Sequence, residues 1–140
     1  IGECLNYQFD EHGLGEIQQL FARIYEALRP GGLFIFDILQ PGSLTVSNPH
    51  QIYYEGEEWA ILLEKEEDKK TSTLTRKMTI FRQVGELYRK SAEIHRVRLY
   101  KSAEIAKELR QVGFRVRIIR GYGELTFRKA HVGFIATKIA

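Results

Sequence analysis

Apolar positions change period along the first 39 residues. Leu14, Ile17, Leu20, Phe21, Ile24, Tyr25 and Leu28 recur every three or four residues, which predicts a helix over 14–28 with one buried face. Arg29-Pro30-Gly31-Gly32 stops it, because proline disfavours helix in the residue before it and the glycines supply a turn. Leu33-Phe34-Ile35-Phe36-Asp37-Ile38 is an apolar run, the pattern of a strand buried on both faces of a parallel sheet. Pro41 to Pro49 is rich in Pro, Gly, Ser and Asn and reads as a loop. Alternating polarity then predicts three strands, about Glu57 to Glu66, Ser72 to Val84 and Glu86 to Tyr100, whose short connections imply antiparallel pairing. Ser102 reads as the N-cap of a second helix with Ile105, Leu109 and Val112 on one face, closed by Gly113. Phe114, Val116 and Ile118 alternate with Arg115 and Arg117 in a strand to Arg120, as suits a sheet edge. Gly121 to Ala130 reads as a polar loop and His131 to Lys138 as the last strand.

The expected organisation is α/β: residues 1–48 and 102–140 form a core interrupted by an antiparallel β insert at 49–101. A chain of 140 residues suffices for one core, and 44% apolar with 28% charged residues is ordinary globular composition. No apolar run approaches the roughly 20 residues that span a membrane, and no basic-then-apolar leader opens the chain. Cys4 is the sole cysteine, so an intrachain disulfide is impossible and a reducing, cytoplasmic setting is expected. The net charge of +3 is small and spread out, favouring a solvated surface over an anionic partner. Ile1-Gly2-Glu3-Cys4-Leu5 reads as the interior of a longer chain.

Three segments carry a resemblance. Leu28-Arg29-Pro30-Gly31-Gly32, leading into Leu33-Phe34-Ile35-Phe36-Asp37, is similar to the segment entering the fifth strand of class I S-adenosylmethionine (SAM)-dependent methyltransferases. Leu109-Arg110-Gln111-Val112-Gly113-Phe114 resembles the family's entry to its sixth strand, and His131 to Lys138 its closing strand. The resemblance implies a partial Rossmann-like sheet of strands 4, 5, 6 and 7 from the family order 3-2-1-4-5-7-6, with a three-stranded insert before the penultimate helix. It implies methyl transfer from SAM to a small-molecule acceptor. The family's Gly-rich loop and the acid that holds the ribose are absent. Gly13-Leu14-Gly15 and Gly121-Tyr122-Gly123 do not follow an apolar strand into a long helix as phosphate- and nucleotide-binding turns do. The missing units amount to about 90 to 110 residues, so these 140 residues alone are expected to be inactive.

Ligands of open α/β sheets sit beyond the carboxyl ends of the strands. The resemblance places Gly2 to Tyr7 at the end of strand four and the loop beyond it. It makes Glu3 and Asn6 the candidate catalytic residues, Gly2 and Glu3 cofactor contacts, and Tyr7 a pocket wall. The alternative for Asn6 and Tyr7 is capping the strand. Asp37 is a substrate-binding candidate or a turn cap. From the insert, His95, Arg98 and Tyr100 are substrate-binding candidates, with the insert expected to line the acceptor pocket. His95 is alternatively satisfied by Glu93 within the sheet, and Trp59 is expected in a core. No metal site is expected, because the histidines are scattered and one cysteine makes no ligand cluster. Two further readings stay open. One is a nucleic-acid module built on Arg76, Arg82, Arg89, Arg96 and Arg98 with Phe81, Tyr88 and Tyr100, disfavoured by five glutamates in the same insert. The other is a non-catalytic scaffold subunit. Exposure of Leu20, Ile24 and Leu28 at a strand edge is expected to promote a homodimer.

Overall fold

The computed structural model describes residues 3–7 and 15–139. In chain order these form a 3-10 turn (Cys4–Tyr7), α1 (Gly15–Ala27), β1 (Leu33–Leu39), β2 (His50–Glu55), β3 (Trp59–Asp68), β4 (Thr73–Val84), β5 (Leu87–Arg98), α2 (Ser102–Val112), β6 (Phe114–Ile119), β7 (Gly121–Tyr122), β8 (Leu125–Thr126) and β9 (His131–Lys138). They divide into two units, Ile1–Ser43 with Arg98–Ala140, and Leu44–Val97.

The first unit is built on a three-stranded sheet ordered β1-β9-β6, with β9 antiparallel to both neighbours. This is the 5-7-6 order that the resemblance implied. Phe36 and Ile38 of β1, Val132, Phe134 and Ala136 of β9, and Phe114 of β6 point to one face and are buried with Ile17 and Phe21 of α1 and Ile105 and Leu109 of α2. Phe21 meets Phe36 tilted at 5.9 Å between centroids, and Phe36 stacks on Phe134 at 5.0 Å. Leu20, Ile24 and Leu28 pack half-buried against this core, where exposure was expected. The other face differs from the expected double burial of β1: Leu33 and Ile35 are exposed there. The apolar run of β1 therefore does not alternate as its burial does.

The C-terminus of α1 and the N-terminus of α2 take partners from elsewhere in the fold, whereas α2 ends on its own backbone. Lys138, at the end of β9, donates from Nζ to the carbonyls of Tyr25 and Leu28 at 2.8 Å each and lies 4.7 Å from the Tyr25 ring centroid. These are the carbonyls a helix C-terminus leaves without partners. Ser102 is the first helical residue of α2 and not its cap; Lys101 holds that position without a side-chain bond, and Gln40 accepts the Ser102 N–H at 2.8 Å. Gly113 ends α2 at φ +116°, its N–H reaching the carbonyls of Arg110 and Leu109. A Cβ there would press on the Tyr25 ring at 3.2 Å.

The second unit is a four-stranded sheet ordered β2-β3-β4-β5. It has one strand more than expected. In β2 the consecutive apolar residues Ile52, Tyr53 and Tyr54 hide the two-residue period, so the strand merged with the preceding loop in the sequence reading. Trp59 is 44% exposed rather than part of a core. The expected polar loop 121–130 holds the short β7-β8 hairpin. At the N-terminus the expected strand tail from Ile1 to Leu5 is corrected for its described part: Cys4 and Leu5 begin the 3-10 turn, and Ile1 and Gly2 lie outside the described residues.

Candidate functional site

Alternation along β1 sends Phe36 and Ile38 into the core and turns Asp37 to the opposite face, near the carboxyl end of the strand. Asp37 is 7% exposed and its Oδ1 accepts the backbone N–H of Glu3 at 2.7 Å. Glu3 itself sits at φ +48°, an uncommon conformation for a residue with a side chain, and its carbonyl accepts the Asn6 N–H at 2.9 Å. Asn6 is fully buried. Its Nδ2 donates to the carbonyls of Leu39 (2.9 Å) and Arg98 (2.7 Å), and its Oδ1 accepts the Leu39 N–H (2.9 Å). One carboxamide thus joins the turn, the end of β1 and the chain leaving β5.

Around this frame lies a second set of groups. Glu3 Oε1 stands 3.3 Å from Nε2 of His131, with 23% and 22% of the two side chains exposed. His131 opens β9 directly opposite Leu39 and packs on Phe127 at 5.8 Å. Phe127 meets the Tyr122 ring edge to face at 4.9 Å. It also lies over Gly133, where a Cβ would come within 2.9 Å of the ring, so the position opposite Asp37 admits only glycine without displacement. The Tyr122 hydroxyl is buried and reaches no hydrogen-bond partner in good geometry among the described residues. Burial first, and then the negative Asp37 beside it, push this phenol above its ordinary value.

The structure brings together three of the residues singled out in the sequence. Glu3, Asn6 and Asp37 form one bonded frame, joined by the backbone of Arg98. The Arg98 guanidinium lies 6.0 Å from the Tyr100 ring centroid. Tyr100 is 3% exposed within the core, which removes it from any base-stacking surface. Tyr7 is exposed. His95 stands in the second unit, 3.0 Å from Glu93 in the arrangement weighed as its structural alternative. Gly2 lies outside the described residues. The sequence reading missed His131 and Tyr122. The only signal for them was that His131 begins the closing strand, at the same sheet end as Asp37.

Among the described residues no glycine pair forms a nucleoside-binding turn. Gly31 and Gly32 connect α1 to the amino end of β1, away from Asp37. Gly121 and Gly123 belong to the β7-β8 hairpin, and Gly42 follows β1 without a helix after it. Among the described residues, then, no glycine turn opens a helix in the way that seats a nucleotide phosphate. Among them no helix is long and apolar enough to cross a membrane.

No family model matches the chain, and no curated protein does. Solved structures do. An S-adenosylmethionine-dependent methyltransferase from Clostridium acetobutylicum superposes with a TM-score of 0.79 at 22% identity, over 96% of this chain and 55% of that one. An amino pentose methyltransferase from Micromonospora echinaspora, solved with SAM bound, gives 0.73 at 12% identity over 96% and 54%. A sugar N-methyltransferase from a Streptoalloteichus species gives 0.71 at 12% identity over 100% and 54%. The fold is that of SAM-dependent small-molecule methyltransferases, and the chain spans about half the length of these structures.

Proposed function

We propose that this chain is part of a SAM-dependent methyltransferase for a small-molecule acceptor, and that its share is the acceptor side of the site. The observation that carries the reading is the Glu3–His131 pair, held beside buried Asp37 at the carboxyl end of β1 in a sheet of methyltransferase order. SAM supplies an electrophilic methyl group on a good leaving group, so the protein's work is alignment and removal of one proton. His131 is the group for that proton. Glu3 stands at its Nε2 and orients the ring, and its other ring nitrogen has no partner among the described residues. Asp37 and Asn6 act at one remove, holding the Glu3 backbone in place. The amino pentose methyltransferase and the sugar N-methyltransferase among the similar structures favour an amine as acceptor.

The test uses the full reading frame that contains this segment, assayed for labelled methyl transfer from SAM to a panel of amino sugars and small amines. Turnover is expected, with His131→Ala lowering kcat by roughly 10²–10⁴-fold, the usual contribution of general-base catalysis. Full kcat in His131→Ala would remove the base assignment, and failure of the longer protein to bind SAM in calorimetry would remove the reading itself. The 140-residue chain alone is expected to show no SAM binding. A micromolar Kd for it would overturn the division of labour described above.

A further inference from the structure

In the Leu44–Val97 unit, the registers Tyr53↔Leu62, Leu62↔Thr79 and Ala60↔Phe81 place these side chains on one face of the sheet. At one end of that face lies an open cleft of about 490 Å³, lined by Tyr53, Glu55, Glu57, Trp59, Phe81 and Tyr88. Its walls hold four aromatic rings and two carboxylates, and no lysine, arginine or histidine. Gly56 makes room for the Trp59 indole, since a Cβ there would collide with it. Tyr53, Trp59 and Tyr88 are 55%, 44% and 60% exposed, an unusual investment of aromatic surface in water. The Tyr53 hydroxyl donates to Glu55 Oε2 at 2.6 Å, tying ring and carboxylate into one wall. Neither Glu55 nor Glu57 makes an ion pair among the described residues. The chain as a whole carries +3, so this cleft is a local reversal of sign.

Ring faces are the negative side of the aromatic quadrupole, and they attract cations that shed water easily. Carboxylates at the rim add a charge term and repel anions. A neutral apolar ligand would gain nothing from the two glutamates, and a strongly hydrated metal ion would gain nothing from the rings. We propose that this cleft binds a small organic ammonium ion, seated against Tyr53, Trp59 and Tyr88 with Glu55 and Glu57 beside the charge. The proposal does not depend on the methyl-transfer reading.

Trp59 is the only tryptophan of the chain, so its emission reports on the cleft directly. The chain is titrated with choline chloride and, separately, with 3,3-dimethylbutan-1-ol, which has the same shape with carbon in place of the charged nitrogen. Sodium chloride at equal ionic strength is the control. Choline is expected to change the emission saturably in the range of about 1–10 mM, with the neutral analogue at least roughly tenfold weaker. The Glu55→Gln/Glu57→Gln double variant and Tyr88→Leu, both at exposed positions, are each expected to weaken choline binding by about threefold to tenfold. Equal responses to choline and its neutral analogue, a response matched by sodium chloride, or unchanged binding in both variants would each overturn the proposal.

Discussion

The carboxamide of Asn6 serves three backbone groups at once, and all three are buried or partly buried. Truncation to Asn6→Ala leaves the N–H and carbonyl of Leu39 and the carbonyl of Arg98 without that partner. Leaving buried polar groups unsatisfied costs about 1–3 kcal/mol each, partly relieved by water, so a loss of roughly 2–4 kcal/mol is expected in urea unfolding. A variant as stable as the parent would show that the frame around Glu3 does not depend on Asn6. Tyr122 gives the opposite case, a buried hydroxyl without a good partner. Its phenol is pushed up by burial and by Asp37, so the folded state holds the proton more tightly than the unfolded state does. That contribution is complete below the ordinary value of 10.0 and is lost as pH rises through the higher folded value. The parent chain is therefore expected to lose urea stability more steeply than Tyr122→Phe above about pH 10, and to be no more stable than the variant at neutral pH. Parallel alkaline limbs for the two proteins would sink the argument.

Among elements, β9 does most to organise the first unit. It pairs antiparallel with both β1 and β6, presents Val132, Phe134 and Ala136 to the core, and ends in the lysine that closes α1. Lys138→Met keeps the length of the side chain and removes two charge-assisted hydrogen bonds to helix-end carbonyls. A loss of about 1–3 kcal/mol is expected, with the helix content of α1 fraying first in hydrogen exchange. Unchanged protection of the Tyr25 to Leu28 region in this variant would argue that the strand does not hold the helix. The two helices also meet each other through polar groups, with Gln18 of α1 donating to Glu108 of α2 and to Gln111 at 3.2 Å. Such pairing explains how Glu108 is buried without an apolar environment alone around it.

At the scale of the whole molecule, β1 is the edge of its sheet on the side away from β9. Beside that edge runs an apolar cleft of about 160 Å³ lined by Leu5, Leu20, Ile24, Phe34 and Phe36. Leu33 and Ile35 add exposed apolar surface on the far face of the same strand. A strand edge next to an apolar cleft favours pairing with another chain. The 140-residue chain is expected to self-associate at high micromolar concentration, and Ile35→Lys is expected to shift it toward monomer. Light scattering that shows a stable monomer of the parent at that concentration would count against this.

How much of this was legible beforehand follows from the range of each interaction. Helix periodicity, the Pro-Gly-Gly stop and the closing strand depend on neighbours within a few residues, and α1, β1, α2, β6 and β9 fall within a residue or two of where those patterns put them. Local pattern failed where apolar residues ran together, as in β2, and where a cap came from far away, as Gln40 does for Ser102 across 62 positions. The candidate site divides the same way. Glu3, Asn6 and Asp37 were singled out because the resemblance put their segments at strand ends, where open α/β sheets hold ligands. His131 and Tyr122 were not, because their relation to Glu3 and Asp37 arises only when the C-terminal part of the chain folds back beside β1. The sequence by itself determined both helices and the longer strands other than β2, since those choices follow from backbone propensity and the period of burial. Only the tertiary structure decided which polar groups meet, because antiparallel register brings distant residues to one end of a sheet and nothing in their own neighbourhood records it.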